Sequence, residues 1–201
     1  MVFYHGSPIK GINKLGISLL TNGETKASII YLTPNRTYAL FYIRDLNVNY
    51  VTCGVTAEGY IRYDERFSGQ LPTLYRGQSG YLYKCIDSGC FEQTTTRDVW
   101  ISKNPVVIES VEFIPDVYKE IIKYEASGNI KVIRYETLTD QEKHNIYEMT
   151  VYSLYKSGLT DKNTVKANFY RDNFPEAWKF VISHPKMKQT ILEEWEKKRM
   201  K

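Results

Sequence analysis

This 201-residue chain has few of the residues that build ready-made chemical sites. It has three cysteines, Cys53, Cys85 and Cys90, an odd number with no Cys-x-x-Cys pair. That argues against a disulfide framework and against a zinc site. Its three histidines, His5, His144 and His184, are too scattered for a metal motif, so no metal is expected. No window approaches the run of roughly 18 apolar residues that a spanning helix needs. The apolar start is interrupted early by His5 and Lys10, so no secretory h-region is expected. The excess of Lys and Arg over Asp and Glu is small, 27 against 23, and does not by itself point to nucleic acid. The expectation is a cytoplasmic protein with no membrane partner.

What is present fits a globular chain. Apolar residues make up 42% and charged residues 25%, close to ordinary usage, so a buried core is expected. The length suits one domain, or one domain with an appendage. Tyrosine stands out, with 17 residues against 8 Phe and 3 Trp. Its apolar body and polar tip suit sheets and ligand pockets, although most of these tyrosines need no explanation beyond composition.

The chain opens Met1-Val2-Phe3-Tyr4-His5-Gly6-Ser7-Pro8. The reading is a short buried strand, Val2 to Tyr4, that delivers His5 to its end. Gly6 would let the backbone turn or approach a ligand, and Pro8 cannot donate to a ladder. A strand is predicted over Ala27 to Thr33, closed by Pro34-Asn35. A short helix follows, capped by Asn35 or Thr37, with Tyr38 to Ile43 as its apolar face and Asp45 to Asn49 as its end. A further short strand is placed around Leu15 to Leu20. Alternation from Tyr50 to Arg66 predicts strands with a turn at Gly59. Ser68 to Ser79 reads as an exposed loop. Gly80 to Ile86, Val99 to Ile101, Val106 to Ile108 and Val111 to Ile114 read as strands, with a turn at Asp87-Ser88-Gly89.

The last third changes character. Val117 to Ala126 predicts a helix ended by Gly128. Ile130 to Tyr135 is extended. Thr139 stands three residues before Glu142, in capping-box spacing, and opens a helix to Tyr155 or Lys156. Shorter helices follow over Asp161 to Asn173 and Pro175 to Ile182. The final one, Met187 to Met200, turns Ile191, Leu192 and Trp195 inward, and its basic end suits the helix dipole.

Three fragments stand together: Phe3-Tyr4-His5-Gly6-Ser7; Ile30-Tyr31-Leu32-Thr33 followed by Tyr38-Ala39-Leu40-Phe41-Tyr42; and Arg97-Asp98-Val99-Trp100-Ile101-Ser102. With them the sequence resembles the ADP-ribosyltransferase family of the diphtheria-toxin and poly(ADP-ribose) polymerase kind. That family has a strand ending Tyr-His-Gly-Ser/Thr, a second strand with a Tyr, a helix with another Tyr, and a late strand opened by a catalytic Glu. Tyr31 and Tyr42 stand eleven positions apart, as in that family. The chain also looks like uncharacterised bacterial and phage proteins that carry a late Glu-Trp-Val-Ser. The resemblance covers residues 1–115 and leaves 116–201 as a mostly helical C-terminal extension packed on that core. The fold it implies is α+β, a split two-sheet core with that extension.

The resemblance implies NAD as substrate, and a transferase that moves ADP-ribose to an acceptor protein or nucleic acid. Tyr31 and Tyr42 would hold the nicotinamide by stacking and cation–π attraction. His5 would donate to a ribose hydroxyl and fix its orientation. Gly6 would pair with the carboxamide, Ser7 would add a polar contact, Thr33 belongs to the second strand, and Ala39 would leave room beside the ring. A carboxylate must then stabilise an oxocarbenium-like transition state. Here the chain departs from the family, because Val99 holds the expected Glu position. Asp98 is the candidate in its place, and Glu92 a second. Adjacent strand residues face opposite ways, so only one of positions 98 and 99 can face the ribose unless a bulge intervenes. A catalytically degenerate binding module of the same fold is therefore the alternative. NAD glycohydrolase and RNA 2′-phosphotransferase chemistry are further ones, the latter needing phosphate-binding arginines from among Arg36, Arg44, Arg62, Arg66 and Arg76.

Overall fold

The fold comes from a computed structural model that describes residues 1–15, 29–44, 52–87 and 89–199. The expected strand over 16–20, the helix end at 45–49 and the centre of the turn at Ser88 lie outside these residues. The strands in chain order are β1 (Val2–Ser7), β2 (Lys14–Leu15), β3 (Ile30–Leu32), β4 (Cys53–Val55), β5 (Ile61–Asp64), β6 (Gly80–Ile86), β7 (Glu92–Gln93), β8 (Trp100–Ser102), β9 (Val106–Ile114) and β10 (Ile130–Ile133). The α-helices are α1 (Arg36–Ala39), α2 (Gln70–Tyr75), α3 (Val117–Ala126), α4 (Asp140–Ser157), α5 (Val165–Asn173), α6 (Pro175–Ser183) and α7 (Lys188–Arg199). The architecture is α+β.

The described residues form two compact units. The first comprises 1–15, 29–44, 52–64 and 71–132, and holds nearly all the strand. The second comprises 65–70 and 133–199, and is helical. The motif-bearing stretch was expected to end at 115, whereas the first unit runs on to Val132 and takes in α3.

In the first unit, β1, β6, β9 and β2 form one antiparallel sheet in that order, and β3, β8 and β7 form another. They meet where Tyr4 and Thr33 exchange backbone hydrogen bonds of 2.8 and 3.1 Å. Phe3, Leu15, Ile30, Leu32, Cys85 and Val106 are buried in one cluster. The Phe3 ring stands edge-on to Phe91 at 5.1 Å and to Trp100 at 5.2 Å. A third sheet has the order β10, β5, β4.

Several expectations change. β1 does not stop at Tyr4; it pairs with β6 through Ser7, opposite Tyr81, so His5 lies within the strand and not at its end. Gly6 can stay in a ladder because its backbone remains extended. The two short strands expected over 106–108 and 111–114 are one strand, β9, whose register against β6 shifts between Lys84 and Cys85. That irregularity leaves Glu109, between Ile108 and Ser110, as the extra residue. The loop expected over 68–79 contains α2, in which Leu71, Leu74 and Tyr75 are buried at helical spacing. Pro72 sits in the first turn, where its missing N–H removes no intrahelical bond. The helix after Asn35 is a single turn of α-helix continued by a 3₁₀ turn, Leu40–Tyr42.

In the second unit, Ile146, Val151, Leu154, Tyr155, Ala167, Tyr170, Phe174, Ala177 and Val181 form the core. Thr139 caps α4 in a complete capping box with Glu142, and Gly158 closes it at φ 57°. Trp195 stacks on Tyr152 at 5.2 Å, as the inward reading of α7 required.

Candidate functional site

Every residue singled out for the NAD reading lies in the first unit. His5 projects from β1, and its Nδ1 is 2.9 Å from the Tyr31 carbonyl. A carbonyl only accepts, so Nδ1 carries the proton. The neutral ring therefore presents Nε2 as an acceptor. Burial pushes the imidazole below its ordinary pKa, and the bond to Tyr31 opposes this in part. This bond ties β1 to β3 one step beyond the Tyr4–Thr33 bridge.

Tyr31 stands between Ile30 and Leu32, both buried, so its ring is turned the other way and is 51% exposed. Asn35 Oδ1 accepts from the N–H groups of Thr37 and Tyr38 and starts α1. The following turn delivers Tyr38 and Tyr42 side by side, ring centres 6.0 Å apart. Phe41 packs edge-on to Tyr42 at 4.9 Å. Desolvation raises the pKa of both tyrosines, and their hydroxyls interact with each other. Tyr42 is close enough to Tyr31 for charge on one to be felt by the other, and Tyr38 is likewise within reach of Asp98. Arg44 holds its guanidinium 4.5 Å above the Phe41 ring and lowers the Tyr42 pKa.

Asp98 is not on a strand. β8 begins at Trp100, and Asp98 occupies the preceding turn at φ 56°, the only non-glycine residue with positive φ among those described. The alternation argument therefore does not apply to it. Val99 is buried; its N–H donates to the Thr96 carbonyl at 3.1 Å and its carbonyl accepts from the Thr94 N–H at 2.9 Å. Arg97 fixes this turn from outside, donating from Nη1 to the Ala57 carbonyl at 2.6 Å and the Thr56 carbonyl at 3.2 Å. A left-handed Asp costs on the order of 1 kcal/mol and persists where its surroundings impose it, often at functional sites.

Other candidates have local employment. A Cβ on Gly6 would lie 2.0 Å from the Ala39 carbonyl, so the glycine is required by the close approach of α1 to β1. Ala39, 1% exposed, is the other side of that contact. Ser7 Oγ accepts from Ile9 N–H at 3.2 Å, and Thr33 Oγ1 from Asn35 N–H at 3.1 Å; both are buried turn residues. Glu92 is exposed and paired with Lys103 at 2.8 Å. Arg36 is held by Glu112, Glu120 and the Tyr124 hydroxyl. Arg62 pairs with Asp64 at 3.0 Å. Arg76 lies over the Tyr118 ring.

Sequence reasoning gave no role to Arg97 or Cys53, and named Arg44 only as one of five candidate phosphate-binding arginines. Cys53 lies beside Tyr38, Tyr42 and Tyr63, and burial drives its thiol far above the ordinary range, so it is a packing group and no nucleophile. Arg97 had a signal in its place next to Asp98. Cys53 had none, because the tyrosines it packs beside are distant in sequence.

Among the described residues no group of three or more His, Cys, Asp or Glu side chains could hold a metal ion, and no helix is long and apolar enough to cross a membrane. Comparison with protein-family models, with curated proteins and with solved structures finds no match to this chain.

Proposed function

We propose that the surface bordered by His5, Tyr31, Tyr38, Tyr42 and Asp98 binds NAD through its nicotinamide riboside, in the manner of an ADP-ribosyltransferase. The observation that carries this is the His5–Tyr31 bond of 2.9 Å. It locks a neutral imidazole beside an outward tyrosine, with Nε2 set to accept from a ribose hydroxyl. This reverses the donor role expected for His5. Tyr31 and Tyr42 supply aromatic faces for a flat cationic ring, worth about 0.5–2 kcal/mol each.

Transfer requires the ribose–nicotinamide bond to break, its electron pair leaving with the now neutral nicotinamide. An acceptor on a protein, a nucleic acid or water then adds to the ribose carbon and loses its proton. Positive charge develops at the ribose in between. Asp98 is the carboxylate that would stabilise it, acting on charge present only in the transition state. Buried Val99 at the family's Glu position favours a second reading, a module that binds the dinucleotide and does not cleave it.

The test is calorimetric titration with NAD alongside chromatographic assay of released nicotinamide. Binding that Tyr42→Ala weakens about 10-fold, by roughly 1.4 kcal/mol, supports the site. Nicotinamide release abolished by Asp98→Asn assigns the transferase or glycohydrolase chemistry. Binding without release assigns the binding module. Absence of binding overturns both.

A further inference from the structure

We propose that the helical unit carries a second small-molecule site, a cleft that takes a phosphorylated aromatic ligand with its phosphate on Arg66 and Lys143. The cleft has a volume of about 260 Å³ and is made wholly of residues of that unit. Arg66 and Lys143 both line it, together with Tyr135, Tyr147, Phe174 and Glu176.

The first observation is an orphan. Arg66 Nε is shut off from solvent and has no hydrogen-bond partner among the described residues. Its backbone N–H donates to Gln70 Oε1, so that carboxamide oxygen is engaged by the main chain. A buried charged donor without an acceptor is rare in folded proteins and calls for one. The second observation is a half-buried ammonium. Lys143 Nζ stands 5.5 Å from the centre of the Tyr135 ring, and no ion pair engages it among the described residues. It adds slightly to the lowering of the Glu136 carboxyl, which is held low first by Ser68, then by its own backbone, with Arg134 and Lys143 adding less. Glu136 is thus already occupied. Glu176 is the one carboxylate in the lining, and it sits in the first turn of α6, where it suits the helix dipole.

The rest of the lining defines the ligand. Phe174 gives α6 no side-chain cap, Pro175 carries no N–H, and the next two residues, Glu176 and Ala177, line the same cleft. A guanidinium and an ammonium beside the start of a helix together match a compact anion with several oxygens. Tyr135, Tyr147 and Phe174 give the cleft an aromatic lining suited to a flat body. Phosphate can arrive free or on an aromatic carrier, and the rings favour the carrier.

The test uses the full chain, titrated calorimetrically with adenosine monophosphate, inorganic phosphate and adenosine. The expected order is adenosine monophosphate at least 10-fold tighter than either fragment. Arg66→Gln and Lys143→Gln should each weaken it at least 10-fold, while Tyr42→Ala, in the other unit, leaves it unchanged. Lys143 lies on the half-exposed face of α4, so its variant keeps the test open where Arg66→Gln fails to fold. Equal affinity in Lys143→Gln and the native chain overturns the proposal. So does loss of binding in Tyr42→Ala alone, phosphate as tight as adenosine monophosphate, or no binding of any probe at millimolar concentration.

Discussion

Gly158 ends α4 in the helical unit, and Gly6 sits inside β1 in the β-rich unit. At Gly158 a side chain would meet nothing within 4 Å, and the glycine answers only to its own φ of 57°. At Gly6 the φ is ordinary, and the glycine answers to a carbonyl 33 residues away in sequence, that of Ala39. The same contrast runs through both units. Thr139 and Thr164 cap α4 and α5 by bonding N–H groups three residues on. In the β-rich unit the deciding contacts are Tyr4 with Thr33, Phe3 with Trp100 and Arg97 with Ala57. One unit is specified by neighbours in the chain. The other is specified by residues that meet only once the sheets exist.

Substitution should expose the difference. Gly6→Ala should destabilise the β-rich unit by about 3 kcal/mol, because a backbone carbonyl cannot move aside as a flexible side chain could. Gly158→Ala should cost about 1 kcal/mol, the penalty of a left-handed alanine alone. Urea unfolding of both variants decides the matter; a Gly6→Ala cost no larger than that of Gly158→Ala breaks the comparison. Thr139→Ala should cost about 1 kcal/mol through loss of the cap, with helical circular dichroism reduced in proportion. A cost near zero there would mean that tertiary packing, not the capping box, starts α4.

Asp98 offers a change of the opposite sign. Asp98→Gly should stabilise the chain by a few tenths of a kcal/mol, since glycine holds a φ of 56° without strain. The same variant should remove any nicotinamide release. A thermal midpoint that falls would show that the Asp98 side chain contributes more to stability than its backbone costs.

What could be read from the sequence follows the same division. α3 and α4 were legible almost to the residue, because Gly128, Thr139 and Glu142 write their ends locally. α2 was not, because Gly69 and Gly77 at its flanks and Pro72 within it outweighed Leu71, Leu74 and Tyr75. In the candidate site, the bond of His5 to the Tyr31 carbonyl had no signal in the sequence, as no local rule joins positions 5 and 31. The turn at Asp98 escaped because its conformation is imposed by Arg97 reaching back to Thr56 and Ala57. Gly6 and Ala39 were legible as special, but for a ligand, whereas the structure uses them against each other.

The smallest expected effect concerns His5 and tests the site without needing a ligand. Its pKa is depressed by burial below the ordinary value of 6.5. As pH falls through 6.5 the unfolded chain takes up a proton at this residue before the folded chain does. Protonation then favours unfolding, so stability is lost from pH 6.5 downward until the folded pKa is reached; above 6.5 the residue contributes no slope. His5→Asn keeps an N–H for the Tyr31 carbonyl and removes the titration. Urea midpoints of the two proteins, taken between pH 7.5 and 5, should diverge only on the acid side, the native chain losing more. Parallel curves would mean that the imidazole is as free to protonate in the fold as out of it, and Nε2 would then not be held as an acceptor for a ribose hydroxyl.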